Sequence, residues 1–128
     1  MTKCILSDLY NQIISTIKDI EEIPNKTQVQ IGETEGRKNS ISVLIKSVGS
    51  TEDICGNILL RLEADITYQV ISPSDKEKMS ALELLDKIKS EIVSKLGYRC
   101  ETAVALEGKN PNGMEIFTLK FNLGAYNI

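Results

Sequence analysis

The sequence predicts an α+β domain, a mainly antiparallel sheet packed by two amphipathic helices in the order α-β-β-β-α-β-β. Three observations carry this. Two stretches repeat apolar residues at helical spacing. Five stretches alternate apolar with polar residues. The strands come in runs of three and two rather than one-to-one with helices, which favours antiparallel pairing. The 128 residues, 41% hydrophobic and 26% charged, suit one domain over 1–128 with a core of its own.

Leu6, Leu9, Tyr10, Ile13, Ile14 and Ile17 recur at three- and four-residue steps, so the spacing predicts a helix from about Lys3 to Ile20. Pro24 ends that region, because proline cannot continue a helix. Gln28–Ile31 reads as a short strand with Val29 and Ile31 on one face. A polar loop, Gly32–Asn39, leads to a second strand marked by Ile41, Val43 and Ile45. Gly49–Asn57 reads as another loop. From Ile58 to Ile71 every second residue is apolar, including Leu62, Ala64, Ile66, Tyr68 and Val70. Arg61, Glu63, Asp65, Thr67 and Gln69 lie between them. Period two held this long predicts one buried and one wet face, on a strand that bends or projects beyond the core.

Ser74 and Glu77 form a capping-box pair at the start of a second helix. Ala81, Leu85, Ile88, Ile92 and Leu96 make its buried stripe, widened by Leu82 and Leu84, with Lys76, Glu83, Lys87 and Ser94 opposite. Lys95 suits the negative end of the helix dipole, and Gly97 a left-handed cap. Arg99–Glu107 reads as a strand with Cys100, Thr102, Val104 and Leu106 on one face. Gly108–Gly113 is a turn, and Met114–Leu123 returns with Phe117, Leu119, Phe121 and Leu123 inward.

Little here points to catalysis. The chain has no histidine, the commonest general base and metal ligand. Phosphate-binding glycine loops and the nucleophile elbow are missing. Cys4, Cys55 and Cys100 are odd in number and far apart, so neither a disulfide framework nor a zinc site is expected. The net charge of −3 is interspersed and advertises no nucleic acid. The chemical candidate is the carboxylate pair Glu63 and Asp65, on one face of the long strand, with Glu52 and Asp53 in the loop before it. Such pairs hold Mg²⁺ or do acid–base work. The plainer reading is a solvated strand face with Arg61 as counter-charge.

The layout carries a resemblance. A first helix leads through short strands into the long one, which closes on Ala64-Asp65-Ile66-Thr67-Tyr68-Gln69-Val70-Ile71-Ser72-Pro73-Ser74. One long helix follows, then Leu96-Gly97-Tyr98 and a closing hairpin. Over nearly its whole length the chain resembles the tail terminator (tail-completion) proteins of long-tailed bacteriophages and phage-tail-like bacteriocins. The match lies in element order and length, not in an invariant motif.

The resemblance implies a non-enzymatic structural subunit. It implies a homo-hexameric ring that caps the tail tube, stops its polymerisation and docks the neck or capsid. The implied partners are further copies, the tail tube protein, a neck or capsid connector and the sheath protein. No cofactor, metal, membrane or specific nucleic acid is expected. The implied location is the virion or tail-like particle, assembled in the host cytoplasm. The candidate interface residues are Arg37, Lys38, Glu52, Asp53, Arg61, Glu63 and Asp65, since a basic loop of one subunit can meet an acidic loop of the next. Two other readings stand beside this one: another small head–tail connector or tail component, and a cytosolic protein-binding module.

Overall fold

The computed structural model describes residues 5–24, 27–32, 39–71, 73–102, 105–109 and 114–127, with the backbone alone for 105–109. The elements are α1 (Ile5–Lys18), β1 (Gln28–Ile31), β2 (Ser40–Glu52), β3 (Ile58–Ile71), α2 (Asp75–Leu96), β4 (Arg99–Cys100), β5 (Ala105–Lys109) and β6 (Met114–Tyr126). They form one sheet in the order β1-β2-β3-β6-β4. β5 also pairs with β6, along Glu115–Thr118, while β4 meets Phe121 and Asn122 on that strand. The two segments lie end to end, so the sheet has five positions. The predicted α+β class and element order therefore hold.

β3 is the central strand. Its apolar alternation places Leu62, Ala64, Ile66, Tyr68 and Val70 on one face, all buried. Register carries that face sideways to Ile41, Val43 and Ile45 on β2 and to Phe117, Leu119 and Phe121 on β6. Both helices lay their stripes on it: Leu9, Ile13 and Ile17 from α1, and Ala81, Leu84, Leu85, Ile88 and Ile92 from α2. The capping box forms as predicted. The Ser74 hydroxyl accepts from the Glu77 amide at 3.2 Å, and Glu77 Oε1 accepts from the Ser74 amide at 3.3 Å. Gly97 adopts φ 73° and donates its amide to the Val93 carbonyl.

Several expectations need correction. β1 runs parallel to β2, pairing Gln28 with Ser40 and Ile31 with Val43. Ile31, at the end of β1, is 60% exposed while Val29 packs on the core. β2 runs on to Glu52, so the loop expected over Gly49–Asn57 shrinks to a turn. Residues 46–52 show no apolar alternation because neither of their faces is buried; the length of β3 gives them a partner.

The strand expected over Arg99–Glu107 splits. Lys120 donates its amide to the Thr102 hydroxyl at 3.0 Å, so a side chain takes the place of a ladder carbonyl and the pairing breaks. Thr102 is exposed rather than on the core face. Nor is the second sheet face uniformly wet. Ser40, Ser42 and Gln69 are buried at the end of the sheet nearest the start of β2. Cys4, Val104, the side chain of Leu106 and most of the Gly108–Gly113 turn lie outside the described residues. Among the described residues no helix is long and apolar enough to cross a membrane.

Ile88 is fully buried at the centre of the α2 stripe. Ile88→Ala is expected to lower unfolding stability by about 2–5 kcal/mol, from lost transfer energy and the cavity together. Urea denaturation measures this, and a loss below about 0.5 kcal/mol, the range of ordinary surface substitutions, would place Ile88 outside the load of the core.

Candidate interaction surface

The sheet outgrows its helices. At ~3.3 Å per residue, β3 spans ~46 Å, against ~33 Å for α2 at 1.5 Å per residue. The surplus forms an arm of three strands: the end of β2, the start of β3, and the end of β6, where Tyr126 pairs with Leu60. Leu60 and Tyr126 still pack on the core. Beyond them β2 and β3 continue as a two-stranded hairpin whose β2 residues are all exposed.

The hairpin closes through Asp53–Asn57, and Asp53 organises the turn. Its Oδ1 accepts from the amides of Cys55 and Asn57, each at 2.9 Å, and its Oδ2 from the Asn57 side-chain amide at 3.1 Å. The Asp53 amide donates to the Asn57 carbonyl, and Gly56 donates back to the Asp53 carbonyl. These bonds favour the ionised carboxylate, and hydrogen bonding from Asn57 holds its pKa below the ordinary value. The turn holds Ile54 wholly in solvent, at 105% relative exposure, with Ile58 at 64% on the strand beside it. Glu52 and Asp53 are the only charged residues between Val48 and Leu60.

Glu63 and Asp65 do share the sheet face away from the helices, as the strand period required. Their partners are lysines on the flanking strands rather than Arg61. Lys46 Nζ lies 2.9 Å from Asp65, and Lys120 Nζ lies 3.8 Å from Glu63. The hydrogen bond to Asp65 raises the Lys46 pKa. Each carboxylate thus sits diagonally across from a cation, a self-neutralising pattern of partly exposed pairs that solvent screens and that adds little to stability. Among the described residues no group of three or more carboxylates and cysteines is placed to hold a metal ion.

Arg61 instead lies across Gly49 on the neighbouring strand. A Cβ at Gly49 would come within 2.8 Å of its guanidinium. A cleft of about 290 Å³ opens beside it, lined by Val48, Arg61, Glu63, Glu101 and Asn122. Of the candidate interface residues, the structure thus gathers Glu52 and Asp53 at the arm's end and Arg61, Glu63 and Asp65 along its root and body. Arg37 and Lys38 lie outside the described residues. The apolar arm tip was not singled out in the sequence; an isoleucine inside an Asp-Ile-Cys-Gly-Asn turn was the available signal.

The lowered pKa of Asp53 fixes the pH behaviour of the tip. The turn's carboxylate bonds are complete above the ordinary Asp value, near 3.9, and are lost as pH falls through the lower folded value. An NMR titration is expected to move the Cys55 and Asn57 amide signals together, with a midpoint below that ordinary value. A midpoint at or above it would show that the carboxylate does not hold the turn.

In comparisons with known proteins the chain matches no family model and no curated sequence.

Proposed function

We propose that this chain is a structural assembly subunit whose copies close into a homo-hexameric ring. The ring caps the tail tube of a phage or phage-tail-like particle, ends tube polymerisation and offers a docking face to the neck or capsid. The observation that carries this reading is the arm. A turn braced by its own hydrogen bonds, holding an isoleucine fully in water, gives the isolated subunit no burial energy. Covered by a neighbour, that side chain contributes about 1.5–3 kcal/mol per contact, and the braced turn loses little entropy on docking. A sheet segment reaching past its own core is a common form of contact between chains. In a ring of identical subunits, each contact joins two different patches, and closure follows from the rotation between neighbours.

The element order agrees with that implied by the resemblance to tail terminators. In this reading the chain performs no catalysis and uses neither metal nor nucleotide.

Light scattering after size exclusion is expected to give six times the 14.2 kDa chain mass. Electron microscopy with purified tail tubes is expected to show a ring at one end of tubes of fixed length. A monomer or dimer at all concentrations, with no tube binding, would leave the chain a binding module instead. Ile54→Asp is expected to weaken the ring at least tenfold, the equilibrium equivalent of about 1.4 kcal/mol. Its unfolding stability should stay within about 0.5 kcal/mol of the parent, as for other surface changes.

A further inference from the structure

The arm carries two complementary patches. At its tip, Ile54 stands in solvent beside Glu52, an exposed carboxylate that the turn does not use. The second patch lies at the arm's root, on the sheet face away from the helices. There β2 bulges at Val48, between the Ser47–Leu62 and Gly49–Arg61 pairs. At the same level β6 bulges at Leu123, between the Asn122–Glu63 and Gly124–Leu62 pairs. Val48, 39% exposed, lines the cleft together with Arg61. Gly49, at φ 145°, leaves open the space beside the guanidinium, so Arg61 lies across β2. Among the described residues Arg61 has no ion-pair partner. Glu63, on the cleft wall, is already answered by Lys120. Asn122 accepts from the Gly124 amide through its side-chain oxygen, which leaves its NH₂ to donate into the cleft. Glu101 follows β4, three strand positions from Gly49, or ~14 Å at the usual spacing. An anion reaching Arg61 from the β2 side therefore stays clear of it.

We propose that the cleft beside Arg61 is the socket for the arm tip of a second copy of this chain. Ile54 of one copy packs on Val48 of the next, and the Glu52 carboxylate pairs with the Arg61 guanidinium. The inference rests on the ring reading above and names the contact that builds the ring. Complementarity carries it. Each patch joins one apolar side chain to one charge within a residue or two along the strand, and the two charges are opposite in sign. The chain's own tip cannot fill its own cleft, because Val48 and Glu52 lie on one extended strand, ~13 Å apart at ~3.3 Å per residue. A neighbour must supply it. The two patches differ, so the contact is head-to-tail, the kind whose repetition closes a ring. The charge pair selects the partner and its register, while the isoleucine supplies the burial.

A charge swap tests the pair, with assembly read by light scattering over a dilution series. Glu52→Arg and Arg61→Glu each set like charges against each other and are expected to weaken assembly about tenfold or more. The two changes together restore opposite charges and are expected to recover assembly to within about threefold of the parent. A thiol pair tests the contact without relying on charge. Cys55 is exposed beside Ile54, and Val48→Cys places its mate in the socket, with Cys4→Ser and Cys100→Ser removing the other thiols. Air oxidation is expected to give covalent multimers beyond the dimer on a non-reducing gel. Either thiol alone is expected to stop at the dimer. A particle that still forms, but in which the double charge variant is no better than the single ones, would overturn the socket and leave the ring standing. Absence of multimers beyond the dimer in a chain that still assembles would do the same. A chain monomeric at every concentration would overturn both.

Discussion

The constraint on which the rest of the structure depends is the two-residue period of β3. Over fourteen residues it offers an apolar row to one side and a polar row to the other. Antiparallel partners flank it on both edges for most of its length. Remove that row and the sheet falls into two unconnected groups, β1 with β2 and β6 with β4 and β5. The helices have no other common floor. α1 sits toward β1 and β2, α2 toward β6 and β4, and the buried face of β3 joins the two halves into one core.

The same strand is longer than the layer that covers it. Strand rise exceeds helix rise more than twofold, so a 14-residue strand outreaches a 22-residue helix. The uncovered end has lost the burial that makes alternation worthwhile, and its neighbours show this. β2 turns polar at Lys46 and stays so to Glu52, apart from Val48 in the bulge. The bulges at Val48 and Leu123 fall where covering thins: on the helix-facing side of β3 Leu62 is buried, Leu60 is half-buried and Ile58 is exposed. The change of bend, the change of burial and the change of composition are one boundary read three ways.

That boundary explains what was legible in the sequence. Elements with a buried face could be read from it. Both helical stripes, the full extent of β3 and the inward row Phe117, Leu119, Phe121 and Leu123 follow from burial periodicity, and the α2 caps follow from local hydrogen-bonding chemistry. Elements held by pairing alone could not. The second half of β2 carries no pattern because it has no core side, and β5 is cut from β4 by one side-chain hydrogen bond that composition does not announce. Of the candidate interface, the shared face of Glu63 and Asp65 was predictable from strand period. Their lysine partners were not, because cross-strand register brings Lys46 and Lys120 to them from 19 and 57 residues away.

The arm's charges then divide by role. Asp53 and Glu52 are adjacent carboxylates, so sequence treats them as one feature. In the folded chain the Asp53 carboxylate already accepts three hydrogen bonds from its own turn. A partner cation that drew on it would compete with the contacts that hold Ile54 out, so salt-bridging to Asp53 and presenting Ile54 work against each other. Glu52, exposed and uninvolved in the turn, carries no such conflict. A basic residue on the proposed neighbour would therefore gain most by meeting Glu52, leaving Asp53 to keep the turn rigid. In the assembly proposed above, specificity would come from a rim charge and affinity from the apolar centre, the division of labour usual where one buried side chain anchors a contact.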